Sequence, residues 1–259
     1  MNNLPNESYS PGESRSVQRA GPQKVAVHFR SNKPYITYMF LGLTVFVYLL
    51  QMLSQNLLGG DLPAALGMKV NSLIQAGQIW RLITPVLLHG SLMHIFFNMY
   101  ALYVIGRRLE IWYGNTRFLL LYLAGGFAGN VFSFLLSPVA SLGASTAIFG
   151  MVAGEAIFFY HNRSLFGNQA RSMIYNSLFI IAINLVLGFT SAGIDNWGHL
   201  GGLVGGLAFG WFASPQLQVG GLYPDYYFVD QRNDRSAWLT FMLVILFFFL
   251  MAAINILKS

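Results

Sequence analysis

Seven long apolar runs separate polar segments along this chain of 259 residues, and they limit its fold more than any other feature. The runs cover residues 35–55, 92–109, 116–137, 145–161, 171–190, 198–213 and 237–256. Each is close to the roughly 20 residues that a helix needs to cross about 30 Å of hydrocarbon. Because lipid offers the backbone no hydrogen-bond partners, runs this long and continuous indicate helices. The sequence therefore predicts an all-α, polytopic helical bundle in a membrane.

Composition agrees with a membrane protein and excludes several kinds of chemistry. Only 9% of the residues are charged, whereas a soluble domain has nearer a quarter. The absence of cysteine excludes disulfides, thiolate catalysis and cysteine-based metal sites. The net charge of +6 does not indicate nucleic-acid binding, because the basic residues lie between the apolar runs. We expect a lipid bilayer around the chain, and neither a metal nor a cofactor.

The distribution of Lys and Arg predicts how the chain is oriented in the membrane. Most of these residues lie in the N-terminal tail and in the loops that follow the second, fourth and sixth runs. The positive-inside rule therefore places the N-terminus in the cytoplasm and the C-terminus outside. The protein is expected to be an integral, multi-pass protein of the plasma (inner) membrane.

The segments around the runs divide the chain into four parts. Residues 1–34, rich in Ser, Pro, Asn and Gln, are expected to form a disordered cytoplasmic tail. Residues 35–213 are expected to form a six-span core, and its outer loop, 56–91, is apolar enough to lie in the membrane interface. Residues 214–236 are expected to be a cytoplasmic linker, and residues 237–259 a seventh transmembrane helix.

Polar residues open three runs that cross the membrane in the same direction. His94 lies near the start of the second run, Ser145 at the start of the fourth, and His199 at the start of the sixth. Asn98 lies one turn deeper than His94 on the same helix face. Because polar groups in lipid are costly unless they face the bundle interior, four at one depth favour a single site.

Each of these residues also has a structural explanation. Ser145 could cap the N-terminus of a helix, and His199 could donate to a neighbouring carbonyl. His94 and Asn98 could join two helices, and His89 is interpreted as a residue that holds the loop above the second run. Their common depth is what favours a site over these separate explanations.

Glycines at four-residue spacing lie below both candidate residues. Gly150 and Gly154 lie in the fourth run, and Gly202 and Gly206 in the sixth. Small residues at this spacing let two helix backbones approach closely. Packing these faces together would bring Ser145 near His199.

A serine beside a histidine can perform nucleophilic catalysis. The imidazole would take the hydroxyl proton and later protonate the leaving amine. The backbone N–H of Ser145, with the side chains of His94 and Asn98, could stabilise the oxyanion. Asp195 lies in an outer loop four residues before His199, so a dyad is expected rather than a triad. Glu155, about 15 Å along the helix from Ser145, is expected to form a structural pair.

Three stretches of the sequence match a known pattern. They are WRLITPVLLHGSLMHIFFNMYALYVIGRRLE (80–110), GASTAIFG (143–150) and GHLGGLVGG (198–206). Together they resemble the rhomboid family of intramembrane serine proteases, over about 35–213. The resemblance implies a six-helix core with one added C-terminal helix. It also implies that Ser145 is the nucleophile and His199 the base, while His94 and Asn98 contribute to the oxyanion hole.

The resemblance assigns structural roles to further residues. Gly143 would shape the loop before the nucleophile, Gly202 and Gly206 match the family's glycine pair, and Trp80 and Arg81 match its first-loop pair. The chain departs from the pattern at two positions. Thr146 stands where many members have Gly, and Phe149 where the family often has Tyr. A phenyl ring can pack on His199 but cannot donate a hydrogen bond to it.

The implied activity is a serine endopeptidase that cuts single-span membrane proteins near the outer face of the membrane. The alternative is a catalytically silent rhomboid-like protein that binds transmembrane helices for quality control. Such relatives typically lack the nucleophile or the base, whereas this chain has both Ser145 and His199. The sequence does not indicate an oligomeric state.

Overall fold

A computed structural model describes residues 27–28, 33–191 and 193–258. The predicted tail, 1–34, lies outside these ranges except for 27–28 and 33–34. The helices are α1 (Tyr35–Leu58), α2 (Leu62–Gly67), α3 (Asn71–Gln75), α4 (Leu92–Ala101), α5 (Arg107–Leu136), α6 (Ser145–His161), α7 (Arg163–Phe166), α8 (Asn168–Thr190), α9 (Asn196–Ala213) and α10 (Asp234–Lys258). The strands are β1 (Val27–His28), β2 (Leu217–Leu222) and β3 (Asp225–Asp230). The predicted helical fold is therefore confirmed, and a small three-stranded sheet accompanies the helices.

The predicted apolar runs are helical, apart from residue 137 at the end of the third. Among the described residues, four helical stretches are long and apolar enough to cross a membrane: 35–58, 92–136, 168–190 and 234–258. The second joins α4 to α5 through a π-helical turn, Leu102–Gly106, and its 45 residues would measure about 68 Å. It contains a break at Gly114, where φ is 74°. This break separates the second predicted run from the third; the count of seven spans stays a prediction.

Helices α5, α6 and α9 form the centre of the bundle, and their backbones touch at glycines. A β-carbon on Gly206 would lie 2.2 Å from the carbonyl oxygen of Gly150, and one on Gly202 would lie 2.1 Å from that of Thr146. The predicted packing of the two glycine pairs is therefore present. On α5, a β-carbon on Gly125 would lie 2.9 Å from Cα of Gly150, so α5 joins the same contact. Only glycine permits these distances.

Two buried cations hold the outer loop, 56–91: Arg81 joins parts of the loop to one another, and Lys69 joins the loop to the bundle. Arg81 donates to the carbonyls of Met68 and Ala65 at 2.7 Å each. Lys69 donates through Nζ to the carbonyls of Ser137 and Val139, at 2.7 and 2.9 Å. Burial lowers the pKa of Lys69 to about 8. The loop is therefore fastened to the segment that leads into α6.

Two buried carboxylates fasten the other end of the bundle. Glu155 on α6 pairs with Arg108 at 2.6 Å, as expected of a structural pair. Glu110, which the sequence analysis did not single out, accepts the backbone amides of Ile36 and Thr37 at 2.8 Å each. Its carboxylate therefore satisfies the N-terminus of α1, where helix amides have no intrahelical partners.

Residues 214–236, which the sequence analysis treated as a linker, contain a β-hairpin. Strands β2 and β3 pair in antiparallel fashion, and β1 pairs in parallel with β3. The buried Arg117 on α5 forms an ion pair with Asp230 and donates to the carbonyl of Arg232 at 2.6 Å. The hairpin is short and partly exposed, so no long apolar run marked it in the sequence.

The glycine contact predicts a sharp difference between two Gly→Ala substitutions. Gly206→Ala would push α9 away from α6, and we expect a loss of about 1–3 kcal/mol of stability, as in overpacked cores. Gly42→Ala on α1 is the control, because its β-carbon would meet nothing within 4 Å. Thermal unfolding in detergent should show a lower midpoint for Gly206→Ala alone. Equal midpoints for both variants would contradict the role of this contact.

Candidate active site

Ser145 and His199 lie at the same end of the bundle and form a hydrogen bond. The distance from His199 Nε2 to Ser145 Oγ is 2.9 Å. Ser145 is the first residue of α6, and His199 lies in the first turn of α9. The close approach of α6 and α9 at their glycines brings these helix starts together. A base within hydrogen-bond reach is what a serine hydroxyl needs to act as a nucleophile.

Helix capping does not account for Ser145. Ala144 occupies the N-cap position of α6, and no side chain caps that helix end. The Ser145 hydroxyl is half-buried and is directed to the imidazole instead. Of the explanations open for this residue, the structure supports the pairing with histidine.

Packing holds the His199 ring in place. Phe149, one turn below Ser145, stacks on the ring with centroids 4.3 Å apart and planes 11° from parallel. Among the described residues, His199 Nδ1 has no hydrogen-bond partner. The ring is therefore oriented by an aromatic surface and by Ser145 rather than by an acid.

Asp195 forms no hydrogen bond with the His199 imidazole and instead caps α9. Its Oδ1 accepts the amide of Gly198 at 2.9 Å and so caps α9. Its Oδ2 accepts a hydrogen bond from the hydroxyl of Ser133 on α5. Asp195 therefore positions the helix that carries His199 without bonding to the imidazole.

The loop before α6 brings His94 beside the hydroxyl. Gly143 has a φ of 133°, which L side chains rarely adopt, and its amide donates to the carbonyl of Pro85 at 2.9 Å. A β-carbon on Gly143 would lie 2.7 Å from His94 Nε2 and 3.8 Å from Ser145 Oγ. The imidazole of His94 and the hydroxyl of Ser145 therefore face one small space, and glycine keeps that space open.

Asn98 lies deeper in the bundle and makes a local contact. Its Nδ2 donates to the carbonyl of His94 at 2.9 Å, and no hydrogen bond joins it to Ser145. Of the predicted site residues, the structure thus brings together Ser145, His199 and His94, and leaves Asn98 one turn away. Trp80 and Arg81 lie in the outer loop, where Trp80 Nε1 donates to the carbonyl of Leu66 at 3.0 Å.

His89 contacts the loop that precedes α6, and Gln51 in turn holds the backbone of His89. His89 Nε2 accepts the amide of Ala144 at 3.5 Å, and its ring packs edge-on against that of His94, with centroids 4.9 Å apart. Burial lowers the pKa of His89 to about 3, so the neutral ring can accept this amide. Gln51 bonds to both the N–H and the C=O of His89, at 3.0 and 3.2 Å. Gln51 was not among the predicted residues; its lone amide inside an apolar run was the available signal.

A second serine–histidine pair lies at the opposite end of α6. His161 Nδ1 is 2.9 Å from Ser214 Oγ. Ser214 is fully buried, so its hydroxyl cannot meet a substrate. This pair matches the first in distance but not in exposure, and it serves below as a control.

The capping role of Asp195 predicts different effects for two substitutions. Asp195→Ala removes the cap and should lower the free energy of unfolding by about 1 kcal/mol. Asp195→Asn keeps an oxygen for the amide of Gly198 and should unfold close to wild type. Thermal unfolding in detergent measures both. Equal destabilisation by the two substitutions would contradict the cap.

Comparison with known proteins agrees with the geometry. Residues 76–216 match the family model of the rhomboid domain. The rhomboid protease GluP of Bacillus subtilis (strain 168) is 42% identical over 181 residues, which are 70% of this chain and 35% of that protein. RHOMBOID-like protein 1 of Arabidopsis thaliana is 33% identical over 212 residues, 80% of this chain and 51% of that protein. RHOMBOID-like protein 9, chloroplastic, of the same plant is 32% identical over 161 residues, 62% of this chain and 37% of that protein.

These relatives are longer than the matched region. The chain spans about a third to a half of the length of the three relatives named above. The rhomboid domain itself covers more than half of the chain, and its boundaries enclose Ser145, His199, His94 and Asn98. The chain is therefore an integral, multi-pass membrane protein that belongs to the rhomboid family.

Proposed function

We propose that this chain is an intramembrane serine endopeptidase that cleaves single-span membrane proteins near the outer face of the membrane. The observation that carries the proposal is the 2.9 Å contact between His199 Nε2 and Ser145 Oγ within a bundle of apolar helices. The printed name of the Bacillus subtilis relative, a rhomboid protease, supports the same activity. We place the cleavage site near the outer face because the positive-inside rule puts the N-terminus in the cytoplasm and the Ser145 end of the bundle outside.

The contact defines the roles of the two side chains. Ser145 Oγ attacks the carbonyl carbon of the scissile bond while its proton passes to His199 Nε2. The tetrahedral intermediate then collapses, and His199 returns this proton to the leaving amine. A water molecule deprotonated by His199 hydrolyses the acyl-enzyme and releases Ser145. The stacked Phe149 ring keeps the imidazole aligned through both steps.

Two donors stand near the position of the developing oxyanion. The first is the backbone N–H of Ser145 at the start of α6, where helix amides lack intrahelical partners. The second is the side chain of His94, which faces the same space as the hydroxyl. One such donor typically contributes on the order of 3 kcal/mol to the transition state. Asn98 would join them only after its amide turned from the carbonyl of His94.

Helix α8 is the element that we propose moves to admit substrate. In an apolar 18-residue window of α8, 11% is buried, whereas 72% is buried in the corresponding window of Leu92–Leu136. Near the site, α8 is held by Asn196, whose Nδ2 donates to the carbonyl of Leu185 at 3.4 Å. This hydrogen bond is long and therefore weak, and Gly188 packs against the same asparagine side chain; we propose that this end of α8 separates from α9 by breaking these contacts.

The dyad predicts the behaviour of three variants with a fluorophosphonate probe and with a model single-span substrate. Wild type should be labelled at Ser145 and should cleave the substrate. Ser145→Ala should show neither reaction, and His199→Ala should lose at least about 10³-fold in cleavage, because the hydroxyl lacks its base. Asp195→Asn should keep most activity, since this carboxylate caps a helix.

The second serine–histidine pair is the matched control for that experiment. His161→Ala removes an imidazole at the same distance from a serine hydroxyl but far from the site, and should leave labelling intact. Full labelling and cleavage by Ser145→Ala would overturn the proposal. A folded wild type that binds transmembrane helices but neither labels nor cleaves would instead favour the silent, helix-binding relative. If Asp195→Asn lowered the cleavage rate by several orders of magnitude, Asp195 would have to be a third catalytic residue beside Ser145 and His199.

A further inference from the structure

A cavity of about 490 Å³ lies at the end of the bundle opposite to Ser145. It is lined by Arg163, Gly167, Asn168, Arg171, Ile174 and Tyr175. These residues lie in α7, at Gly167 between α7 and α8, and in the first eight residues of α8, on the side of the bundle where α6 is connected to α8. The positive-inside rule places this end in the cytoplasm. The cavity is separate from every residue that the proposed mechanism uses.

The cavity carries positive charge that no acidic residue balances. Two of its lining residues are arginines and none is Asp or Glu. The Arg163 guanidinium is held over the ring of Tyr160, 4.6 Å from the centroid, and donates to the carbonyl of that residue at 2.8 Å. Within the described part of the chain, the Arg171 guanidinium has neither an ion pair nor a hydrogen bond; the ion pairs there involve Arg108 and Arg117. The cavity is therefore suited to an anion.

An apolar stripe continues from the cavity along α8. Tyr175 lies one turn beyond Arg171, and Leu178 and Phe179 lie about one turn further, so these side chains share one helix face. Their exposed fractions are 65%, 52% and 66%. Along this face a cation is followed by an aromatic ring and then by aliphatic and aromatic surface. A phospholipid presents its phosphate, interface and acyl chains in the same order.

We propose that this cavity binds the headgroup of an anionic phospholipid. Arg171 and Arg163 contact the phosphate, and the acyl chains lie along Tyr175, Leu178 and Phe179. Guanidinium groups suit phosphate because their planar donors match its oxygens. Basic pockets between transmembrane helices on the cytoplasmic side bind such headgroups. A soluble phosphate would use the arginines but not the apolar stripe, and this stripe is why we favour a lipid.

Binding can be measured without any catalytic step. The full chain carrying Ser145→Ala is purified in detergent and titrated with phosphatidylglycerol, and bound lipid is counted by native mass spectrometry. Arg171→Gln and Arg163→Gln should each weaken binding about fivefold, and the double substitution about 25-fold, as expected for arginines at a membrane surface. Because the variant lacks the proposed nucleophile, lipid binding is measured independently of cleavage. Absence of lipid binding would therefore leave the proposed protease activity untouched, and absence of protease activity would leave the lipid site untouched.

Controls separate a lipid site from general charge. Arg235→Gln removes an exposed arginine at the same end of the bundle but outside the cavity, and should bind as the parent does. Phosphatidylcholine should bind equally to all variants, and equal unfolding midpoints show that the variants are folded. Glycerol 1-phosphate, the headgroup without acyl chains, should compete at least tenfold more weakly than the lipid.

Two outcomes would overturn the proposal. Unchanged phosphatidylglycerol binding in the Arg163→Gln, Arg171→Gln double variant would show that the cavity does not hold the lipid. Competition by glycerol 1-phosphate or inorganic phosphate as strong as that by phosphatidylglycerol would show a soluble-anion site instead.

Discussion

The backbones of α5, α6 and α9 touch, and the rest of the structure depends on this contact. The carbonyl oxygens of Thr146 and Gly150 occupy space that β-carbons on Gly202 and Gly206 would need. In a bilayer, lipid tails are as apolar as leucine side chains, so helices associate through close packing rather than through hydrophobic burial. Separating α6 from α9 by about 1 Å would break the Ser145–His199 hydrogen bond, a displacement of the size that can cost a site most of its reactivity.

At the end of the bundle that contains Ser145 and His199, buried polar groups form hydrogen bonds that join separate elements. Asp195 caps α9 and bonds to Ser133 on α5, while Lys69 fastens the outer loop to the segment after α5. Behind them, His89 accepts an amide of the loop that precedes Ser145. Buried polar groups are costly without partners, and these partners lie in separate elements. The hydrogen bonds that satisfy them therefore also set the position of the loop that precedes Ser145.

Much of the site could be predicted because its members share a depth and a direction. Ser145 and His199 each open a run, and the glycine pairs below them indicated which helix faces would meet; the structure brings both pairs together. The contact made by Asn98 could not be predicted in the same way. Its spacing from His94 places both residues on one helix face but does not determine which carbonyl its amide contacts. Glu110 and the hairpin after α9 were missed, since neither a single acid nor a short exposed strand stands out from the pattern of long apolar runs.

The sequence by itself determined that the chain is a bundle of membrane helices, which parts of the chain those helices occupy to within a few residues, and that Ser145 and His199 each lie near the start of one. In lipid the backbone must satisfy its own hydrogen bonds, and a continuous apolar segment of about 20 residues does so as a helix. Only the tertiary structure decided that His199 faces Ser145 while Asp195 faces Gly198 and Ser133. Contacts between helices depend on their separation and rotation, which are set by side chains distant in sequence and not by any one run.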